Sequence, residues 1–524
     1  MSEVDFVMLL EDLPNKNKQV LQDLLLNSSS KNRTIKESVS EFLGQFNSDY
    51  KNGNIENLNF LTDYAFHKLS DDLFKDKPWP KLDQIDENLN LHDNVKLLYK
   101  ELCYRHLFFR LQNSHVDIET RCLSFANYLE IFKALVVEDD RDLRKVELPC
   151  KWIWELFDEC NYQFQNFCIY ASKLKKDDPI VKEISGRKDL PNFNQLEAAL
   201  KDLISRSQIL ESSGSLNIVE KPKTRHFVGY FAYLALIKLY LTSDHLDEAF
   251  KLVQACNMDY IQHFLKRSWC ALISFFYIAG LTYILKNEFL KGKKTLEKCC
   301  SFFYRYKHFL SKSMQIDKYS RLAERSTLLL TIFLSFNKIE TEDTIMRVIT
   351  EKYNERYSKL LKYDQATFEE TFTSGCCKII KPLMTSEQFT EYLNIDTVDR
   401  LPAIVQSMLV QLNKYRILNG VESVLLIYSK LSVVKLARIL SLDSKEVQSY
   451  LEEYETIREP NLTNSPFEQT FLRKAMTNLR THSFEVKGNE ITVLKVEDDR
   501  VDCESTIQDF IAELTQSVKS ISRL

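Results

Sequence analysis

Val421-Glu-Ser-Val-Leu-Leu-Ile-Tyr-Ser-Lys-Leu431, Ser432-Val-Val-Lys-Leu-Ala-Arg-Ile-Leu440, Asp443-Ser-Lys-Glu-Val-Gln-Ser-Tyr-Leu451 and Ser483-Phe-Glu-Val-Lys-Gly-Asn-Glu-Ile-Thr-Val-Leu494 lie within a single span of the chain. The first spaces its apolar residues as one helical face. Ser432 is placed to cap a short second helix over Val433–Leu440, which ends in Ser441-Leu442. Asp443 precedes a third helix, and Glu446 is positioned to reach back to it, as in a capping box. Ser483–Lys487 and Glu490–Leu494 alternate in period two around Gly488-Asn489, a two-residue hairpin turn. Three short helices followed by a hairpin make a winged helix. In a DNA-binding winged helix the third helix enters the groove. Here it carries Lys445 against Glu446, Glu452, Glu453 and Glu455. Phosphate binding needs the opposite sign, so the module reads as one that docks protein.

The rest of the 524-residue chain is rich in helix signals. Glycine (10) and proline (11) are both scarce while 44% of residues are hydrophobic, so few turns separate long core-forming segments. A net charge of −4, from 70 basic and 74 acidic residues, gives no global pull toward nucleic acid or membrane. Twelve cysteines include no Cys-x-x-Cys, and Cys299-Cys300 and Cys376-Cys377 are too close for ordinary disulfides. No His/Cys spacing suits zinc. Reduced, buried thiols in a cytoplasmic or nuclear protein are expected. Met1-Ser-Glu-Val-Asp5 shows no signal-peptide pattern. Ser268–Leu285 contains no charged residue. Its length raises the question of a membrane span, but an inner helix of a soluble repeat is equally apolar all round.

Residues 1–40 read as a flexible arm, 41–220 as an N-terminal helical region and 221–385 as a tetratricopeptide-like helical solenoid. Residues 386–500 then hold the winged helix, and 501–524 a C-terminal helix. Val39, Phe42, Leu43 and Phe46 share one helical face, and Pro78-Trp79-Pro80 breaks the pattern. Helices are expected over 94–111, 121–136 and the aromatic-rich 152–170, with linkers from Lys173 to about Pro191 and from Ser212 to Lys223. Tyr233, Tyr240, Ala249, Val253 and Cys256 recur 43 residues later as Phe276, Tyr283, Gly292, Leu296 and Cys299. That order of aromatic, small and aliphatic positions suits stacked helix hairpins, in which the small residue admits a close helix crossing. Residues 321–336 and 340–357 suit a third hairpin. The fold expected is therefore mostly all-α, with strands confined to about residues 483–496.

No catalytic set emerges, and no catalytic, cofactor-binding or metal-binding residue is assigned. Cys103 and His106 lie one helical turn apart but lack an orienting group. The clusters Glu138-Asp-Asp140 and Glu497-Asp-Asp499 lack calcium-loop spacing, and no glycine-rich phosphate loop exists. Trp152 and Trp154 cannot share one helical face, so both are core or one is a partner anchor. The strongest polar feature is basic: Lys286–Lys312, with Lys291, Lys293, Lys294, Arg305 and Lys307 interleaved with Phe302, Phe303, Tyr304 and Tyr306. Such a mixture serves RNA or ribosome contact; the plainer account is a solvated helix with its aromatics in the core. At the C-terminus, Ile507, Phe510, Ile511, Leu514, Val518 and Ile521 form one apolar stripe. A lone helix of that length is marginal in water. The stripe therefore packs on the solenoid or on partner subunits, and the latter is expected.

A helical solenoid leading into a winged helix resembles the PCI family, found in the proteasome lid, the COP9 signalosome and a translation initiation factor. Within it, the chain resembles the l-subunit family of eukaryotic translation initiation factor three. The resemblance runs from about Lys51-Asn-Gly-Asn54 through Lys77-Pro-Trp-Pro80 and Leu97–His106. It is clearest at Glu147-Leu-Pro-Cys-Lys-Trp-Ile-Trp-Glu155 with Tyr162-Gln-Phe-Gln-Asn-Phe167, and continues at Gly229-Tyr-Phe231 and Tyr428–Ala437. Residues 1–40, 171–222 and 457–482 depart from the pattern. The resemblance implies a non-catalytic scaffold without cofactor. It implies contacts with other subunits of the factor, the k and e subunits foremost, through PCI edges and a bundle of C-terminal helices. It also implies association with the small ribosomal subunit through the complex, and no membrane. The alternatives are a PCI subunit of the proteasome lid or signalosome, and a nucleic-acid-binding winged-helix protein of mRNA export.

Overall fold

A computed structural model describes residues 35–85, 89–110, 116–135, 147–174, 179–184, 186–210, 224–256, 268–311, 316–336, 341–393, 395, 398–458, 483–487 and 489–494. Of these residues 77% are helical. They fall into two compact units, one up to Gln406 and one from Ser407 onward.

The first unit begins with α1 (Ile35–Lys51), whose Val39, Phe42, Leu43 and Phe46 are all buried. Residues 55–73 form one helical run: α2 (Ile55–Phe60), a π-helical turn over Leu61–Ala65, and α3 (Phe66–Leu73). Pro78-Trp79-Pro80 ends the pattern, and Trp79 turns inward against Phe42, Phe66, Phe74 and Tyr99. Next come α4 (Asp93–Arg110), α5 (Ile118–Leu135) and the 22-residue α6 (Cys150–Ala171). Trp152 and Trp154 are 1% and 0% exposed. Trp152 meets Phe46 and Trp154 meets Phe231, on opposite sides of α6. Of the two readings of this pair the core one holds: α6 is covered on both faces, and both indoles are core.

The linker expected from Lys173 to Pro191 contains α7 (Pro179–Ile184), and α8 (Phe193–Arg206) follows with Asn192 as its N-cap. The repeat then appears as two consecutive hairpins. They are α9 (Thr224–Thr242) with α10 (Leu246–Ala255), and α11 (Trp269–Leu285) with α12 (Phe289–Leu310). Their turns match in detail. Asp244 and Asn287 both take the left-handed backbone at φ 61°. The amide of His245 donates to Tyr240 O at 2.9 Å, and that of Glu288 to Tyr283 O at 2.8 Å. Helix α11, the uncharged run, is buried along nearly its whole length against α6, α9, α10 and α12. No described helix is long and apolar enough to cross a membrane.

The stack continues with α13 (Ile316–Phe336), α14 (Asp343–Lys352), α15 (Asn354–Leu360) and α16 (Gln365–Gly375). An extended segment around the short α17 (Phe389–Tyr392) then turns back over the earlier helices. Gln165 Nε2 donates to Lys378 O at 2.8 Å, Phe193 N to Leu383 O at 2.8 Å, and Ile380 N to Thr242 O at 2.9 Å.

The unit boundary falls inside α18 (Leu401–Ile427). The second unit continues with β1 (Lys430–Ser432), α19 (Val433–Leu440), α20 (Ser444–Arg458), β2 (Ser483–Lys487) and β3 (Glu490–Leu494). The sheet is antiparallel in the order β1-β3-β2. The caps form as the residue types require. Ser432 Oγ accepts from Lys435 N at 3.2 Å, and Glu446 reaches back to Asp443 N at 3.4 Å. Lys487 lies opposite Glu490, the register of a two-residue hairpin. One expectation is corrected: strand structure is not confined to 483–496. Residues 421–431 are not one helix either, because α18 stops at Ile427 and Leu431 moves into β1. There Leu431 sits opposite Ile491, both buried. An apolar residue at position 431 continues a helical face and also fits a buried strand, so periodicity could not separate the two.

Candidate interaction surface

Helix α12 owes its position to two glycines. A methyl group added at Gly292 would lie 2.8 Å from Ile284 Cγ1 and 3.2 Å from the Gly280 carbonyl oxygen. One added at Gly280 would lie 2.6 Å from Leu296 Cδ2. The pair lets α11 and α12 cross closely. It also fixes which face of α12 turns inward: Gly292, Leu296, Cys299, Cys300, Phe303 and Leu310 are buried.

That crossing sorts the basic residues. Lys293 is only 7% exposed, and its Nζ pairs with Glu297 Oε1 at 2.9 Å. Lys286, just before the helix, pairs with Asp247. Lys291, Lys294, Lys298, Arg305 and Lys307 are exposed. Lys291 lies 3.7 Å from Glu288 and near the Tyr283 ring. The aromatics divide as well. Phe303 is core, the Tyr304 hydroxyl bonds to Thr327 Oγ1 at 2.8 Å, and Phe302 and Tyr306 pack on each other, half-buried. Of the five sequence candidates, Lys291, Lys294, Arg305 and Lys307 face solvent, and Lys293 faces Glu297. Lys298, outside that set, shares the exposed face, as its helical offset from Lys294 implies.

A second polar feature is buried and went unnoticed in the sequence. Arg105 Nε donates to Glu101 Oε1 at 2.9 Å, and its Nη1 to Glu155 Oε2 at 2.8 Å. The Tyr128 hydroxyl donates to Glu101 Oε1 at 3.0 Å, and Lys151 Nζ lies 2.5 Å from Asp63 Oδ1. The π-helical turn sets Asp63 on this face. Burial pushes the Glu101 carboxyl up, and Arg105 pulls it back only in part; burial likewise pushes the His67 imidazole down. One turn further along α6, Asp158 receives Lys238 from α9 and Lys318 from α13. Burial alone would raise the Asp158 carboxyl, but the two lysines hold it well below the usual carboxylate range. These ion pairs tie the N-terminal helices to the repeat. Their signal was available: Glu155 and Asp158 stand among the bulky apolar residues of α6.

Neither feature resembles a reaction centre. His106 Nε2 lies 3.0 Å from Lys77 O, and burial pushes the Cys103 thiol up to about 12, away from the reactive range. The described cysteines are free thiols. Among the described residues no group of three or more His, Cys, Asp or Glu side chains is arranged to hold a metal. Both acidic clusters, Glu138–Asp140 and Glu497–Asp499, lie outside the described residues, as do Ile507, Phe510, Ile511, Leu514, Val518 and Ile521.

A family model described as RNA polymerase I-associated factor PAF67 matches residues 120–516, a span that takes in most of α5, then α6 to α20 and the hairpin. The chain belongs to the PAF67 family. Relatives of this PAF67-family chain carry a consistent name. It is 26% identical over 420 residues to eukaryotic translation initiation factor 3 subunit L of Aedes aegypti, covering 77% of each chain. It is 23% identical over 402 residues to the protein of the same name from Homo sapiens, covering 74% of this chain and 70% of the human one. The Xenopus laevis protein of that name is 24% identical over 402 residues, with the same two coverages.

Proposed function

We propose that the chain is a subunit of eukaryotic translation initiation factor three that acts as a non-catalytic, cytoplasmic scaffold. The observation that carries this reading is similarity to proteins named as that factor's L subunit over 77% of both chains. The architecture supports it: stacked hairpins offer long surfaces, and the second unit supplies the three helices and hairpin that a winged helix requires. On α20 the described exposed charges are Lys445, Glu446 and Glu452, a balance that suits protein better than phosphate. In this reading the second unit is a PCI module that meets the k and e subunits edge to edge. The complex carries the chain to the small ribosomal subunit and supports mRNA recruitment.

The apolar stripe Ile507, Phe510, Ile511, Leu514, Val518 and Ile521 joins tails of neighbouring subunits in a helical bundle. Truncation after Asp502 tests this. The shortened chain remains folded and monomeric but no longer enters the complex stably, read by co-purification and size-exclusion chromatography. A truncated chain that unfolds would place the stripe in this chain's own core. One that still co-purifies with every partner would end the bundle proposal.

A further inference from the structure

One close crossing sets the outer face of α19. A methyl group added at Gly420 on α18 would lie 2.7 Å from Leu440 Cδ2. Leu436 and Ala437 turn inward and are buried, while Val434, Lys435, Arg438 and Ile439 are exposed. At 100° per residue those four span an arc of about 140°, with Lys435 and Arg438 about 60° apart at its centre. Lys435 Nζ lies 4.4 Å from the centre of the Tyr428 ring, which points it back toward the start of β1. Lys430, the first residue of β1, is exposed too. Among the described residues none of these three cations is paired with a carboxylate. On the sheet, Glu490 sits at the turn end, across from Ser432 and Lys487, and Glu485 lies on the far strand β2. Strand β3 ends at Leu494 beside the cations: Thr492 pairs with Lys430, and Val493 N donates to Ser429 O at 2.9 Å. The sequence continues as Lys495-Val-Glu-Asp-Asp-Arg-Val-Asp-Cys-Glu504, five acids against two bases. Glu497 is four residues past Val493, and four residues of extended chain reach about 13 Å.

We propose that Lys430, Lys435 and Arg438 form the docking site for this chain's own acidic segment, Glu497-Asp-Asp499. The proposal is independent of the initiation-factor reading. Two observations select this occupant. Its charge is complementary, and the chain leaves the sheet at the site, so the segment meets the cations at a high effective concentration that a free peptide lacks. Exposed ion pairs are individually weak and are screened by salt; the tether is what makes three of them suffice. The consequence is a fixed root for the apolar stripe that begins at Ile507.

Cleavage of the purified full chain after Arg500 by an arginine-specific protease, followed by intact mass spectrometry, tests this. Each exposed pair is worth a factor of about 2, so in low salt K430Q/K435Q/R438Q should be cut there about 8-fold faster than the parent. In about 1 M salt the two rates should coincide, because the screening length falls to about 3 Å. A control of equal charge change, K68Q/K133Q/K359Q, removes exposed lysines paired with Asp72, Glu130 and Glu355. It should stay within about 2-fold of the parent. Reversing both sides, K430E/K435E/R438E with E497K/D498K/D499K, should restore protection, and matching circular dichroism melts establish that the variants are folded. In the parent, carbodiimide coupling in low salt should join Lys430 or Lys435 to residues 497–499 of the same chain. Equal cleavage in the parent and the face variant, or coupling of Lys359 to Glu355 without any at Lys430 and Lys435, overturns the proposal. Couplings found only between chains, in a mixture of isotopically light and heavy protein, make the occupant a second copy and also overturn it. So does loss of a partner subunit from pull-downs of the face variant while cleavage after Arg500 is unchanged, which makes the face a partner interface.

Discussion

Replacing Gly292 with alanine sets two opposed effects against each other, and the structure decides the sign. In an open helix the change stabilises by about 0.5–1 kcal/mol, because glycine loses more backbone freedom on folding. At Gly292 the new Cβ lies 2.8 Å from Ile284 Cγ1 and 3.2 Å from a backbone oxygen of the facing helix. Ile284 is 0% exposed and has no room to swing away. Overpacking of this kind costs about 1–3 kcal/mol, so the net is a loss of up to about 2.5 kcal/mol for alanine and more for leucine. Gly44 is the matched control. It sits inside α1, and an added Cβ meets only Leu89 Cδ2 at an ordinary 3.7 Å. Gly44→Ala should therefore be neutral or stabilising. Urea unfolding followed by far-ultraviolet circular dichroism reads both. Midpoints that move in the same direction for the two variants would refute the close crossing of α11 and α12, and with it the sorting of the basic residues on α12.

Three further outcomes follow from the buried charges and thiols. Asp158→Asn leaves Lys238 and Lys318 without their carboxylate and should cost about 2–4 kcal/mol near neutral pH, below the full value for a sealed pair because Lys318 is 44% exposed. The folded Asp158 carboxyl is held below its unfolded value, so its contribution is complete at neutral pH and fades as pH falls below about 4. Denaturation midpoints of parent and variant should converge there, and a constant gap would contradict the assignment. Arg105→Ala strands the fully buried Glu101 and should cost about 3–5 kcal/mol, with Glu101→Gln recovering part of the loss in the double variant; additive losses would show the two do not interact. Burial pushes the Cys168, Cys256 and Cys299 thiols up to about 12. Alkylation of the native chain at mildly alkaline pH, mapped by peptide mass spectrometry, should leave them unlabelled; rapid labelling of Cys256 and Cys299 would mean the repeat opens readily, and of Cys168 that α6 is uncovered readily.

Several helix positions were legible because their apolar periodicity was strong, as in α1 and α6. The hairpin repeat was legible because its small residues mark real close crossings, at Gly292 above all. Other features were set by tertiary pairing. Leu431 suits helix and strand equally, and only Ile491 across the sheet settles it. The burial of both Trp152 and Trp154 depends on α6 being covered from two sides, which no single helix encodes. Lys293 looks like any lysine in a basic run until the helix crossing turns it toward Glu297. The Asp158 and Arg105 networks join residues 80 and 50 positions apart, beyond the reach of local pattern. Gly280 completes the crossing, but it lies outside the five repeat positions because its counterpart 43 residues earlier is Ile237.

Mass spectrometry of the native assembly recovered through a tag on this chain tests the central claim most directly. The account predicts recovery of the other subunits of eukaryotic translation initiation factor three, with the k and e subunits nearest to stoichiometric, after nuclease treatment that removes RNA-bridged proteins. Recovery of proteasome-lid, signalosome or RNA polymerase I subunits in their place, or of the chain alone, would contradict it.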